Sequence, residues 1–335
     1  MLHPFLKHAF LTCLASVLLI ACKDSAPENL SPEEGTYRID FGSQLSKALV
    51  TDINSMSDFK VWGWAHKNTA YSQLFNSVTV FTKTGQYEGP VQFWMDGYTH
   101  DFFAVHPYTL AETNKINSTN KGKLTVNNFN AKAVGNDAID LMTACNKDMV
   151  YSAGNNPQPG PVTLQFAHEL AKVEFTVKAL QSADVSAKLY GISHKGNMTK
   201  AFEGTPSVWT SVWELAAANT VGKTPFTKPT FNVPLFVEGT STPLPLFNGL
   251  MLLPPQPLKE TTTSIKGATL QLIYTYNSDN HKVTKDINLY NIKNITQWEA
   301  GKSYHYEITI PKRSFDINIT VKVTDWNNKD ISTIL

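Results

Sequence analysis

Nine histidines, three cysteines and seven tryptophans are the residues of this chain best equipped to catalyse, ligate or stack. His100-Asp101 with His106 comes closest to a ligand cluster. Six residues apart on a strand, His100 and His106 would share a face but sit roughly 20 Å apart, too far to hold one metal unless the chain turns between them. His168-Glu169, in FAHELAKVEF, offers a general base beside a carboxylate. Adjacent strand residues face opposite ways, so that pair works only across a bulge, and no serine or cysteine nucleophile can be argued to accompany it. Cys145, in DLMTACNKDM, is a lone thiol. No P-loop, dinucleotide glycine fingerprint, G-x-S-x-G or H-E-x-x-H motif is present. The expectation is a protein that is not an enzyme and uses neither cofactor nor metal.

The tryptophans raise a different chemistry. In Val61-Trp62-Gly63-Trp64 the two rings share a strand face, which makes either a glycan-stacking platform or a core wall. Trp62 and Trp64 are therefore the candidate glycan contacts, with Trp209 and Trp213 as the other rings whose exposure would matter.

The N-terminus supplies an address. Lys7 precedes Ala9–Ala21, an apolar run too short for a bilayer span of about 20 residues but suited to the core of a secretory signal. It ends in Leu19-Ile20-Ala21-Cys22, which resembles a bacterial lipobox, with Cys22 as the acylated residue; the competing reading is a secreted protein with a chance cysteine. Residues 1–21 are the expected signal peptide and residues 22–36 a polar tether. Within the tether, Lys23-Asp24 is similar to surface-export signals of Gram-negative lipoproteins. Asp24-Ser25-Ala26 matches a short O-glycosylation pattern that would mark Ser25, and a plain solvated tether accounts for both equally well. With Cys13 lost and Cys22 acylated, Cys145 has no partner, so no intrachain disulfide or cysteine zinc site is expected.

These features must be carried by a folded body. The 335 residues are 42% hydrophobic and 11% aromatic, the opposite of a disordered composition. Lys+Arg is 29 against 28 for Asp+Glu, so there is no electrostatic footprint for nucleic acid. Alternation over Ala171–Val177, Leu270–Tyr276, Tyr304–Ile310 and Ile317–Val323 predicts strands with one face on a core. Phe59–Ala65, Leu74–Thr82, Val91–Met95 and Phe102–His106 read as further strands, and Ser207–Ala218 as a short helix with Val208, Val212 and Leu215 on one face. The stretch Ser152–Pro161, dense in glycine and proline, divides the body into residues 37–158 and 159–335. Five prolines between Thr224 and Pro245 require an edge or a surface excursion there. The fold class is mainly β, with two tandem β-sandwich domains.

An ordered set of segments gives these domains a family. Phe59-Lys-Val-Trp-Gly-Trp-Ala65, Asp101-Phe-Phe-Ala-Val-His-Pro107 and Asp140-Leu-Met-Thr-Ala144 lead to Val162–Val173, with its F-x-H-x-L-A-K-V pattern. Leu252-Leu-Pro-Pro-Gln256, Trp298-Glu-Ala-Gly-Lys-Ser-Tyr-His-Tyr306 and Val321-Lys-Val-Thr-Asp-Trp326 complete the set. The whole resembles the fimbrillin-like family, the type V pilins and accessory subunits of Gram-negative anaerobes. The resemblance implies transthyretin-like sandwiches exported as outer-membrane lipoproteins to the cell surface, where they serve adhesion. Other fimbrial subunits would be the partners, besides surface glycans or proteins. It also implies that an arginine-specific protease trims a stalk subunit and that a neighbour's strand fills the opened groove. Arg38 is the only matching arginine near the N-terminus, Arg313 being the only other one. Tyr37, Ile39 and Phe41 alternate with Arg38 and Asp40, so a cut at Arg38 would leave most of that strand on the chain, which favours an accessory subunit over a stalk. Ile331 with Ile334 or Leu335 would belong to a donated strand or finish the sheet. A glycan-binding surface lipoprotein on the same scaffold is the alternative function.

Overall fold

Period-two patterning becomes strand over much of the described chain. The computed structural model describes residues 37–45, 58–82, 84–113, 116–131, 134–135, 138–152, 159–259, 267–290, 292–312 and 316–326. Cys22, Ser25, Arg313 and the expected terminal strand in 327–335 lie outside them.

In the first half the strands are β1 (Phe41–Leu45), β2 (Phe59–Lys67), β3 (Ala70–Phe81), β4 (Gln86–Tyr87), β5 (Thr99–His106), β6 (Asn117–Ser118), β7 (Leu124–Asn130) and β8 (Met142–Val150). Then come β9 (Val162–His168), β10 (Ala171–Ala179), β11 (Ala183–Tyr190), β12 (Lys195–Glu203), β13 (Val208–Leu215), β14 (Thr227–Val233) and β15 (Leu244–Pro245). The last are β16 (Met251–Leu253), β17 (Gln256–Pro257), β18 (Thr269–Tyr276), β19 (Lys282–Asn288), β20 (Gln297–Trp298), β21 (Lys302–Ile310) and β22 (Asn318–Asp325). A single short helix, α1 (Tyr108–Thr113), is present among the described residues.

The first sheet runs β1-β9-β8-β5-β2-β3-β4 and is antiparallel except for the outer β1–β9 pair. Both of its faces are covered, so β2 and β5 are buried almost throughout rather than alternating. One face packs Phe59, Val61, Phe75, Phe102 and Phe166 into a small core. The other carries Trp62, Trp64, Phe103 and Val105 into a larger core that continues through the second half. Gly63 sits where a Cβ would meet the Phe75 and Phe102 rings at 2.8 and 2.9 Å, which explains a glycine between two tryptophans.

The second half stacks β15-β10-β21-β22 and the short β16 against β14-β11-β18-β19, with the inward residues of both sheets in that same core. Phe175 stacks on Tyr306 at 4.9 Å between ring centroids. β14 and β15 are outer strands, which is how the proline-rich stretch is accommodated.

Two expectations meet a different outcome. Residues 207–218 hold strand β13, not a helix: Val208 and Val212 are four apart, a spacing that keeps one face in either structure, and they point outward while Trp209 and Trp213 pack inward. Val91–Met95 forms only an isolated bridge, Arg38 to Phe93. β9, placed after the break at 158/159, pairs with β1 and β8 of the first sheet, and the β12–β13 hairpin joins β7 and β6 in the sheet β13-β12-β7-β6. Strands from the two halves are thus interleaved.

Candidate assembly edge

The segment before β1 shows the alternation its sequence predicts. Ile39 is fully buried and Phe41 nearly so, whereas Arg38 and Asp40 turn outward and pair at 3.1 Å. The Arg38 guanidinium also lies 5.3 Å over the Tyr87 ring, whose phenol is pushed up by burial. The Ile39 N–H donates to the Gln92 carbonyl (2.9 Å), and the Trp94 N–H donates to the Tyr37 carbonyl (2.9 Å). The chain then crosses to β9, where the Val162 N–H donates to the Asp40 carbonyl (2.7 Å) and five residues pair in parallel from Phe41–Val162 to Leu45–Phe166.

Phe41 locks this edge. Its ring stands edge-on to Phe75 (5.3 Å), Phe102 (5.6 Å) and Tyr87 (6.0 Å), so it touches β3, β5 and β4 as well as its own strand. The sheet therefore curls until its two outer strands meet. At Gly85, φ is +65° and a Cβ would sit 2.8 Å from the Phe41 carbonyl oxygen, so only glycine fits that meeting point. Beside β1 in the sheet lies β9, whose Val162, Leu164 and Phe166 are fully buried. Taking β1 away would uncover a row of β9 backbone groups beside an apolar trough, the acceptor geometry for strand addition. The Arg38–Ile39 bond lies upstream of β1, so a cut there leaves β1 in place.

The other expected site residues disperse. Trp62 and Trp64 are buried (1% and 6% exposed), which corrects their assignment as glycan contacts: neither ring offers a free stacking face. Trp209 and Trp213 are half-buried, Trp209 packing on Phe103 at 5.7 Å and donating its N–H to the Gly122 carbonyl (2.8 Å). His168 and Glu169 diverge. The His168 ring stacks on Trp326 (3.7 Å) with Nδ1 at 3.0 Å from Asp140, while Glu169 pairs with Lys200. Burial pushes the Cys145 thiol up to about 11, so it stays protonated at neutral pH.

Two polar clusters were not visible in the sequence because their members lie far apart along the chain. In one, the Lys200 ammonium donates to the Glu169 carboxylate and to the Thr143 hydroxyl (2.8 Å), and the Thr143 hydroxyl donates to Glu169. In the other, His66 and Asp101 approach to 3.2 Å beside Asp148. The only signal was a charged residue in an apolar run: Lys200 between Met198 and Phe202, Asp101 before Phe102-Phe103.

His100 and His106 occupy the two ends of β5. His100 accepts the Met95 N–H at Nε2 (3.2 Å) and is fully buried, and burial lowers it to about 4. It is therefore neutral when folded and protonated when unfolded between about pH 4 and 6.5, where the unfolded chain binds more protons. That group contributes stability at neutral pH that is lost as pH falls from about 6.5 towards 4, about 3 kcal/mol in all. Urea unfolding across that range should show the loss, and His100→Gln should flatten it.

Comparison with known proteins puts this architecture in context. A family model described as fimbrillin-like matches residues 46–326. No curated protein matches significantly. Among solved structures, a fimbrial protein from Bacteroides vulgatus is similar over 87% of this chain and 99% of its own, with TM-score 0.54 and 16% identity. The tip fimbrial protein Mfa3 from Porphyromonas gingivalis, with a C-terminal truncation, aligns over 87% of this chain and 100% of its own, with TM-score 0.43 and 8% identity.

Proposed function

The chain belongs to the fimbrillin-like family, and on that premise we propose that it is an accessory subunit of surface fimbriae. Membership in a fimbrial family implies the cell surface and contact with other fimbrial subunits. In this reading Cys22 carries the lipid that holds the chain at the outer membrane, the tether bears the sugar at Ser25, and the joint to a neighbour is made by β-strand addition. Backbone hydrogen bonds would give that joint its affinity and alternate apolar side chains its register.

The observation that carries the accessory role is the position of β1 relative to Arg38. A stalk subunit must open an acceptor groove as well as donate a strand, because a head-to-tail contact extends only when every copy makes both joints. Here the strand that closes the β9 edge lies after the arginine, and Ile39 and Phe41 anchor it in the core. A cut at Arg38 frees the lipid but leaves the edge covered, which suits a subunit at an end of the fibre, supporting adhesion or attachment. The glycan-binding reading has no such support, since the Trp62–Trp64 pair is in the core.

An arginine-specific protease applied to the purified mature chain tests this. The product starting at Ile39 should stay monomeric and keep its unfolding midpoint, and Arg38→Ala should block the cut. A cut chain that polymerises by itself would assign it to the stalk instead. In cells, Cys22→Ala should abolish labelling by a fatty-acid analogue.

A further inference from the structure

We propose that His66, Asp101 and Asp148 form a binding site for one divalent transition-metal ion of the zinc type, at the end of the first sheet. His66 lies next to the last residue of β2, Asp101 on the adjacent β5, and Asp148 on β8 beyond it, so three neighbouring strands each supply one ligand. Their donor atoms all lie within 4.8 Å of one another.

Asp101 is the decisive member. Its side chain has no solvent exposure, and its two oxygens are used differently. Oδ1 accepts the Asp148 N–H at 2.8 Å. Oδ2 lies 3.2 Å from His66 Nε2, yet neither atom has a hydrogen-bond partner. Two atoms at that separation, aimed into one space without the angle of a hydrogen bond, match the edge of a metal tetrahedron: donors about 2.0–2.2 Å from zinc stand about 3.3–3.5 Å apart. A buried carboxylate oxygen otherwise left unsatisfied is costly, and a cation removes that cost.

The backbone is shaped around the same point. The β5–β8 register slips between His100 and Phe102, putting an extra residue on β8, and Asp148 there has φ +60°. Such a bulge re-aims a side chain, here turning Asp148 towards Asp101 on the solvent side. The Tyr71 ring stacks on His66 at 4.5 Å and fixes the imidazole plane. Asp148 is largely exposed, so an ion can enter from solvent, and water would take the fourth position. One imidazole with two carboxylates suits zinc or its first-row neighbours, whereas magnesium prefers oxygen ligands alone. Lys147 is the built-in competitor, its ammonium lying 3.0 Å from both Asp148 oxygens.

Equilibrium dialysis of the chelator-stripped mature chain against zinc tests the site, with thermal unfolding as a second readout. One saturable zinc per chain is expected, with a rise in unfolding midpoint that magnesium does not reproduce. Asp148→Asn alters an exposed side chain and should fold normally while weakening zinc at least about tenfold. His66→Gln should do the same, and Lys147→Met should strengthen binding by removing the competing ammonium. Absence of saturable zinc binding, or zinc binding unchanged in both Asp148→Asn and His66→Gln, would overturn the proposal and leave an ordinary His66–Asp101 ion pair.

Discussion

Lys200→Met should cost about 3–5 kcal/mol of folding stability, read as a fall in the urea midpoint with an unchanged slope. Lys200 enters from β12, Thr143 from β8 of the first sheet and Glu169 from the link between β9 and β10, so their network ties the interleaved halves together. Both charges are buried, and the Lys200 ammonium also lies 4.5 Å over the Trp209 ring. Removing the lysine leaves the Glu169 carboxylate without a counter-charge in the core, and that penalty sets the size of the effect. The double variant Lys200→Met/Glu169→Leu should recover most of the loss, because a buried pair replaced by apolar residues of similar volume is near neutral or stabilising. A single variant within about 0.5 kcal/mol of the parent would show that the pair is not a structural tie.

Removal of β1 should produce the second large effect. A chain beginning after Leu45 loses Ile39 and Phe41, each worth about 1.5–3 kcal/mol of burial, together with the parallel ladder to β9. It should lose about 5 kcal/mol or more and aggregate through the bared β9 edge. Because the trough remains, a synthetic peptide of residues 37–45 added in trans should restore the monomer and its unfolding midpoint, and the same peptide with Phe41→Asp should not. Failure of the native peptide to bind would mean that this edge is not an acceptor for an added strand. Rescue would demonstrate the chemistry of strand addition on this scaffold while locating its own β1 as the resident strand.

Much of the fold was legible because a strand with one face in water writes itself as alternation: β10, β18, β21 and β22 all lie where the pattern put them. β2 and β5 were also found, but their two-sided burial hides which face goes where, so for the Trp62–Trp64 pair a platform stayed open beside the commoner core wall. β13 was misread since a spacing of four preserves a face in a helix and a strand alike. Long-range pairing was the least legible feature. Nothing local tells β9 to turn back to β1 and β8, or the β12–β13 hairpin to reach β7, because those choices depend on which sheet edge is free. The same holds for the site. Arg38 and the alternation around it could be read directly, but the contact of Phe41 with Gly85 across the curled sheet, and the meeting of Lys200 with Glu169, required the three-dimensional arrangement.

The central claim, a fimbrial accessory subunit, is tested most directly on surface material sheared from cells. The fraction is run on a denaturing gel without boiling, probed for this chain, and its bands identified by mass spectrometry and N-terminal sequencing. Strand-complemented assemblies resist detergent because a whole strand must be withdrawn for them to separate. This chain is expected in high-mass bands together with more abundant subunits of other sequence, collapsing to a single band on boiling. This chain recovered only as an unassembled monomer, absent from every high-mass band, would contradict it.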